Sequence, residues 1–424
     1  IESGVLHDEC SAVHPTAASS PAFRELGLLD HGLQWAFAEF DAAHPLDGGR
    51  GAVLSTSIEQ TAAGLGRDGR AWSSFFAPLA KRVDRIIEEF FQPLLHVPRH
   101  PIDLGLFGAQ VLPPATWNAR RFADEATRAL YAGITAHAIY PLGRVTSSAI
   151  GSMMIASGHR YGWPVAVGGS RSITDALASI VVEHGGRIET GRWVRSLRDL
   201  PAADIVMLDL SPQGAVSIAG DAMPASTAKA YGRWRYGPGA FKVDLVVDGP
   251  IPWTNEQVAR AGTVHLGGTL EEIAAAERAV HRGVMPERPF VLVGQQYLAD
   301  PSRSSGSHNP IWAYAHVPNG YTGDVTEAVL DQFERFAPGT RERVLGIAVR
   351  GPASLQEHNP NYIGGDIVTG SNDPMQVVFR PKASLHPYDT GIHGVYLCSA
   401  ATPPGGGVHG MGGFNAAKRA LRRL

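Results

Sequence analysis

The sequence predicts a mixed α/β fold (α+β mixed) with two domains. The chain has 424 residues, which exceeds the size at which a single hydrophobic core usually stops growing. Short apolar strands followed by glycine turns and amphipathic helices occur near residues 163–183 and again near residues 394–421. Strand-like and helical segments continue between these two regions, so both kinds of element are expected throughout the chain.

The composition fits a folded protein and excludes several classes. Hydrophobic residues make up 44% of the chain and charged residues 18%, which is typical of a folded protein. A net charge of −3 without long basic runs argues against a nucleic acid partner. Cys10 and Cys398 form no disulfide framework and no metal-binding spacing, so we expect no metal and a reducing, cytoplasmic setting. No apolar stretch reaches the ~18 residues of a transmembrane segment.

The elements of the first 160 residues are predicted from caps and periodicity. Ser20 and Pro21 open a short helix that reaches about Leu28, and strands are expected near residues 33–37 and 51–54. The clearest helix follows, because large apolar side chains recur at steps of three and four residues. These are Trp72, Phe75, Phe76, Leu79, Val83, Ile86, Ile87, Phe90, Phe91 and Leu94. We interpret this stripe as core. The alternatives are the wall of a channel for a lipophilic substrate and a patch for peripheral membrane contact.

Strands and helices alternate from residue 163 onward. Phe241, Val243 and Leu245 alternate with Lys242 and Asp244, which predicts a strand with one polar face. The remaining predicted elements are strands at 163–167, 187–190, 193–197, 204–208, 290–295 and 311–317, and helices at 172–183, 270–281 and 326–336.

The C-terminal block carries the strongest functional signal. A short apolar strand from Gly394 leads into Thr402-Pro-Pro-Gly-Gly-Gly-Val-His-Gly410, and a helix begins at Met411. A glycine turn before a helix N-terminus exposes backbone N–H groups and adds positive potential, so it favours an anion or a polar ligand. The alternative is a glycine-rich helix entry without a ligand.

This block resembles the C-terminal flavin-binding segment of the phytoene-desaturase-like, amine-oxidase-related FAD-dependent oxidoreductases. Further resemblance lies in Gly168-Gly-Ser170, in His184-Gly-Gly186 and in the Gly-Gly-Asp sequence at 364–366. It implies a discontinuous Rossmann-like FAD-binding domain (residues 1–15, 160–225 and 385–424) and a substrate domain of mixed sheet with a helical cap (residues 16–159 and 226–384). The implied FAD-binding residues are Val194, Ser399, Ala400, Gly405, Gly406, Gly407, Val408, His409, Gly410 and Met411.

The resemblance also implies catalytic and substrate-binding residues. Lys242 occupies the position of a lysine that holds a water near flavin N5, and the alternative is an ordinary surface lysine. The imidazole of His409 is a second catalytic candidate, because it suits acid–base chemistry; alternatively only its backbone matters. The substrate cavity is expected to be lined by Trp312, Tyr314, His316 and Tyr362.

The opening nucleotide-binding unit of the family is not found in this sequence. The G-x-G-x-x-G match at Gly64 to Gly69 lies between two helical patterns and is interpreted as a helix end and a turn. Because His7, Asp8 and Ser11-Ala-Val-His-Pro15 match the positions that follow that unit in the family, we expect a βαβ unit before Ile1.

The predicted function is FAD-dependent removal of a hydride from a C–H bond of a mostly apolar small molecule, as in desaturases, dehydrogenases and oxidases. Two alternatives stay open. One is a flavin-dependent isomerase without net redox change, and the other is a non-catalytic binding protein with a flavin-type fold. The sequence gives no indication of the oligomeric state.

Overall fold

A computed structural model describes residues 4–424, so the part of the predicted FAD-binding segment at residues 1–3 lies outside the described residues. The strands are β1 (Trp35–Ala36), β2 (Phe40–Pro45), β3 (Gly51–Leu54), β4 (Val165–Ala166), β5 (Val206–Leu208), β6 (Gly239–Asp248), β7 (Ala261–Leu266), β8 (Val291–Gly294), β9 (His308–Val317), β10 (Val344–Arg350) and β11 (Val395–Leu397).

Helices account for most of the remaining regular structure. They are α1 (Pro15–Ala18), α2 (Pro21–Glu25), α3 (Ile58–Gly64), α4 (Gly69–Phe90), α5 (Pro101–Val111), α6 (Ala115–Asn118), α7 (Glu125–Thr135), α8 (Ala149–Tyr161), α9 (Arg171–Glu183), α10 (Pro212–Ala219), α11 (Ala225–Tyr231), α12 (Leu270–His281), α13 (Thr326–Phe336), α14 (Thr340–Arg343), α15 (Pro352–His358), α16 (Pro374–Val378) and α17 (Met411–Leu421).

A seven-stranded mixed sheet forms the centre of the fold. Its strand order is β10-β6-β9-β8-β7-β2-β3. Neighbouring strands are antiparallel except for β2 and β7, which run parallel. Two further pairs lie outside this sheet, the antiparallel pair β1–β4 and the parallel pair β5–β11. The predicted α/β class is confirmed, and the mixed sheet agrees with the predicted architecture.

Both faces of the sheet are covered, because successive side chains of a strand point to opposite faces. On one face Phe241, Val243 and Leu245 of β6 pack with residues of α13 such as Phe333. On the other face Trp312, Tyr314, Leu292 and Phe290 join a large cluster with α4, α7 and α8. The second face therefore looks into the helical part of the molecule.

Helix α4 packs its apolar stripe into that cluster. Trp72, Phe76 and Ile86 are all buried there, so the interpretation of the stripe as core is confirmed. The G-x-G-x-x-G match lies at the end of α3 and the start of α4, which confirms that it is a helix end and a turn. No helix among residues 4–424 is long and apolar enough to cross a membrane.

Two predicted strands are wrong. Residues 187–190 and 193–197 form no strand, and Ile188 and Trp193 are 56% and 69% exposed. Pairing with a neighbour is what stabilises a strand, and no strand of the described part of the chain pairs with these residues. The following strand, β5, does form because β11 pairs with it. Three strands, β2, β7 and β10, were not predicted.

Helix α7 approaches the sheet closely at Gly133. A Cβ there would lie 2.7 Å from Nδ1 of His44 and 2.8 Å from Cβ of His265. His44 is fully buried on β2, and its Nε2 lies 2.7 Å from the carbonyl oxygen of Gly268. Burial lowers the pKa of His44 to about 4, so the folded protein holds this imidazole neutral.

We predict that protonation of His44 destabilises the fold in acid. Its pKa of about 4 in the folded state lies below the usual value of about 6.5 expected after unfolding. The associated stability is therefore complete above pH 6.5 and is lost as the pH falls towards 4. His44→Gln keeps an N–H donor for Gly268 and does not titrate. Between pH 7 and 4 the wild type should lose up to about 3 kcal/mol more unfolding free energy than this variant.

Urea unfolding at several pH values measures this difference. His393→Gln is the control, because His393 is exposed, and its pH profile should match that of the wild type. Parallel profiles for the wild type and His44→Gln would contradict the prediction.

Candidate functional site

The glycine loop, residues 402–410, joins β11 to α17. It follows a tight turn in which the Oγ1 of Thr402 donates to the carbonyl of Ser399 at 2.7 Å, and the N–H of Ala401 donates to the Oγ of Ser399 at 3.2 Å. Ala400 lies between these residues. Ser399 and Ala400 therefore lead directly into the glycine loop, as the resemblance implies.

The glycines of the loop are required by the backbone. Gly405, Gly407 and Gly410 have φ angles of 120°, 135° and 63°, a region that other residues rarely adopt. Gly406 has an ordinary φ, but a Cβ there would lie 2.9 Å from the Cβ of Val368. Of the three consecutive glycines, Gly405 and Gly407 are therefore needed for their backbone angles, and Gly406 is needed for close packing against Val368.

Helices α1 and α2 hold the second half of the loop. The Oγ1 of Thr16 donates to the carbonyl of Val408 at 3.2 Å, and the Oγ of Ser20 donates to the carbonyl of His409 at 2.6 Å. On the other side, the hydroxyl of Tyr388 donates to the carbonyl of Pro403 at 3.1 Å. These bonds fix the direction in which the loop backbone enters α17.

His409 caps the last helix. The backbone N–H of Met411 donates to its Nδ1 at 3.1 Å, and its ring packs 5.1 Å from the ring of Phe91. Burial lowers the pKa of His409 to about 4, so the imidazole is neutral near pH 7. The side chain thus supports the loop, and its catalytic role stays a prediction.

Helix α17 begins tightly against the end of β11. A Cβ on Gly412 would lie 2.6 Å from the carbonyl oxygen of Cys398, so a glycine is needed there. The N-terminal N–H groups of a helix have no intrahelical partners and carry positive potential. At the opposite end, Arg419 pairs with Asp389 at 2.8 Å and Lys418 with Glu25 at 3.3 Å. Lys418 and Arg419 thus lie in the last turn of α17, at the negative end of the helix dipole.

A second group of predicted residues lies on β6 and β9. In the register of the sheet, Lys242 faces Tyr314 and Asp244 faces Trp312. The predicted polar face of β6 is not exposed, because Lys242 is 5% exposed and forms an ion pair with Asp244. The surface-lysine alternative is therefore wrong. Burial lowers the pKa of Lys242 and raises that of Asp244.

The N-terminal segment covers this ion pair. His7 places its Nδ1 3.9 Å from the Oδ1 of Asp244, and burial, with help from the charge of Lys242, lowers the pKa of His7 to about 4. The indole N–H of Trp312 donates to the carbonyl of Cys10 at 2.6 Å. Tyr362 interacts with the side chain of Cys10, and its pKa is raised to about 12, mainly by burial.

His316 belongs to a buried polar group that the sequence did not reveal. Its Nδ1 lies 2.7 Å from the Oε1 of Glu277 on α12, and both side chains are 1% exposed. Nearby, the Nε2 atoms of His137 and His265 are 2.8 Å apart. Burial lowers the pKa of His137 to about 3 and also lowers that of His265. One signal for this group was available in the sequence. Glu277 stands four residues after the buried Ile273, so it lies on the same face of the helix as an apolar residue.

Four of the predicted residues border one buried region. Met411, Trp312 and Tyr314 belong to the same apolar cluster, and Tyr362 packs against it. Val194 is different, because it lies half-buried in a segment without strand or helix, and its contact with a cofactor stays a prediction. Within residues 4–424 no group of three or more His, Cys, Asp or Glu side chains is placed to hold a metal ion.

Comparison with known proteins supports the resemblance. No protein-family model matches the chain. The chain is similar to the rat pyridine nucleotide-disulfide oxidoreductase domain-containing protein 2, with 27% identity over 314 residues, which cover 63% of this chain and 52% of the relative. It is also similar to a phytoene desaturase (neurosporene-forming) of Rhodobacter capsulatus, with 23% identity over 275 residues, covering 59% of this chain and 51% of the desaturase.

Among solved structures, a putrescine oxidase mutant shares the fold with a TM-score of 0.53 and 13% identity, covering 96% of this chain and 87% of the oxidase. This likeness shows a shared fold. In sequence and in fold, the chain is thus similar to phytoene-desaturase-like and amine-oxidase-related oxidoreductases. The chain spans about half the length of the curated relatives that it matches.

Proposed function

We propose that this protein is an FAD-dependent oxidoreductase that removes a hydride from a C–H bond of a mostly apolar small molecule. The observation that carries the proposal is the glycine loop, whose three positive-φ glycines lead directly into the N-terminus of α17. Such a backbone lets a flat, anionic ligand approach N–H groups without an intervening Cβ.

The residues of the loop fit this cofactor. Ser399 to Met411 would hold FAD through backbone groups, since the side chain of His409 is engaged in capping α17. Asp8 supports the proposed FAD-binding domain, because it accepts the N–H of Ser170 at 2.7 Å and pairs with Arg303. The bond to Ser170 connects the proposed segments 1–15 and 160–225, and the ion pair with Arg303 ties the first of them to the proposed substrate domain. Val194 is proposed to meet the adenine.

The proposed chemistry combines the cofactor with the buried sheet face. FAD supplies the hydride acceptor when it is bound. Trp312 and Tyr314 offer apolar surface for a substrate and exclude water. Lys242 would hold a water or a proton at its Nζ, and Asp244 keeps the ammonium oriented through their ion pair. A fixed donor of this kind stabilises charge that develops during hydride transfer.

The cofactor itself is the first prediction from this proposal. Protein purified in its native form should be yellow and release FAD, rather than FMN or a nicotinamide nucleotide, on denaturation. Chromatography of the released nucleotide measures this. If the native protein releases no flavin, the proposed oxidoreductase is wrong, and the alternative of a non-catalytic binding protein with a flavin-type fold remains. Anaerobic titration with candidate substrates separates an oxidoreductase from an isomerase, because only the former bleaches the flavin with each turnover.

A valine at position 407 should weaken FAD binding. The φ of Gly407 is 135°, and a Cβ would lie 3.1 Å from the ring of His409, so a branched side chain adds strain of about 1–3 kcal/mol. We expect Gly407→Val to lower FAD affinity by roughly 10-fold or more with the fold retained, as measured by fluorescence titration and circular dichroism.

The matched control is Gly413→Ala in the first turn of α17. Gly413 is exposed, and a Cβ there would meet nothing within 4 Å, so FAD affinity should be unchanged. Unchanged affinity in Gly407→Val as well would mean that the glycine loop is only a turn.

The role of Lys242 is tested in protein that already carries Asp244→Asn, so that removing the lysine leaves no unpaired buried carboxylate. Lys242→Met alone would leave the Asp244 carboxylate buried without its partner, which costs about 3–5 kcal/mol. We therefore compare Lys242→Met/Asp244→Asn with Asp244→Asn. Both should retain flavin, but oxygen should reoxidise photoreduced flavin roughly 10-fold more slowly in the double variant, since a positioned proton donor typically contributes this much or more. Equal reoxidation rates in stopped-flow measurements would remove the lysine from the proposed chemistry.

A further inference from the structure

Arg380 is a buried cation with too few hydrogen-bond partners. Its side chain is fully enclosed, with 2% of the residue exposed, and Nη1 donates to the carbonyl of Pro404 at 3.3 Å. The Nε and Nη2 groups have no partner among residues 4–424. The ring of Trp234 lies 5.8 Å from the guanidinium carbon, and its indole N–H is also buried without a partner. Two donor groups of Arg380 and one of its neighbour Trp234 are therefore buried without an acceptor among residues 4–424.

The nearby carboxylates of Asp366 and Asp373 favour the charged form of Arg380, but the hydrogen bonds that they form go to other groups. Asp366 accepts three backbone N–H groups, from Gly237 and Gly370 at 2.7 Å and from Val368 at 2.9 Å. Asp373 pairs with Arg235 at 2.6 Å. Burial lowers the pKa of Arg380 to about 10, so the guanidinium remains charged near pH 7. A buried charge without an acceptor is strongly unfavourable.

The guanidinium lies directly against the glycine loop. A Cβ built on Gly405 would collide with the Nη1 of Arg380, so the glycine creates the space that the arginine occupies. The φ of 120° at Gly405 independently favours a glycine there. The free donors of Arg380 thus stand beside the backbone that the proposed cofactor would follow.

We propose that Arg380, together with the indole N–H of Trp234, binds an anionic oxygen edge of the bound flavin nucleotide. This inference rests on the proposed function. Charge-assisted hydrogen bonds from a guanidinium to oxygen are among the strongest available in proteins. Two parts of FAD offer such an edge, namely the diphosphate and the N1–C2=O side of the flavin, which becomes negative on reduction. The contact between Arg380 and the glycine loop is not apparent from the sequence, because Arg380 is 25 residues away from Gly405 along the chain.

The experiment measures FAD affinity of the apoprotein for the wild type, Arg380→Met, Arg380→Lys and the control Arg422→Met. Arg422 is an exposed arginine just after α17, so its replacement should leave affinity unchanged. Arg380→Met should weaken FAD binding roughly 10- to 100-fold, and Arg380→Lys should recover part of it. Unchanged affinity in Arg380→Met would overturn the proposal while leaving the proposed function intact.

Thermal unfolding of the apoprotein separates binding from a structural role. If Arg380 serves a ligand, its methionine variant should melt at the same temperature as the wild-type apoprotein or higher, because an unpaired buried charge has been removed. If Arg380 only holds Pro404, the variant should melt lower while its FAD affinity stays equal to that of the wild type. That combination would overturn the inference.

Two further measurements distinguish the parts of FAD. If the guanidinium binds the diphosphate, ADP affinity should fall in parallel with FAD affinity, and the midpoint potential should stay the same. If it binds the N1–C2=O side, ADP affinity should be unchanged, and the midpoint potential of Arg380→Met should become more negative, since the reduced anion loses a positive neighbour.

A wild-type protein that binds no FAD would refute the proposed function, and inorganic pyrophosphate then tests the anion site directly. Pyrophosphate that raises the melting temperature of the wild type but not of Arg380→Met would support an anion site without a flavin. Equal responses of the two proteins would overturn it.

Discussion

The pairing of β6 with β9 is the constraint on which the rest of the molecule depends. Ten residue pairs fix the register of these two strands, and both faces of the pair are buried. A shift by one residue would move every side chain to the opposite face, placing Lys242 among the apolar side chains that pack on α13. The register of the two strands therefore determines which side chains of β6 and β9 contact the helices and the N-terminal segment.

The structure buries two cations in different ways. Lys242 has Asp244 as a partner two residues further along the same strand, so its charge is compensated within the protein. Within residues 4–424, Arg380 donates a hydrogen bond to one carbonyl, and the neighbouring carboxylates act on it through their charge while their hydrogen bonds go to other groups. A compensated charge stabilises a fixed arrangement, whereas an uncompensated one is tolerated where an acceptor arrives from outside. This difference is why the two residues are assigned different roles.

Local signals predicted many elements of the fold well. Helix α12 agrees with its prediction because Thr269 and Glu272 form a capping box before an amphipathic run, and α4 agrees because its apolar period is long. The unpredicted strands lack such signals. All residues of β2 are buried, so it shows no alternation, and β7 contains a glycine at 262. The strands wrongly predicted near 187–197 have suitable residues but no neighbour to pair with in the described chain.

The sequence by itself determined the resemblance to flavin-dependent oxidoreductases, the α/β class and the glycine loop, because these depend on residue order within short segments. Only the tertiary structure decided that Lys242 is buried beside Asp244, that His409 caps α17, that Glu277 meets His316, and that Arg380 lies against Gly405. Each of these relations joins atoms whose distance depends on register, helix packing or the path of a loop. Burial and the pairing of charges arise from that assembly, and no local pattern of residues encodes them.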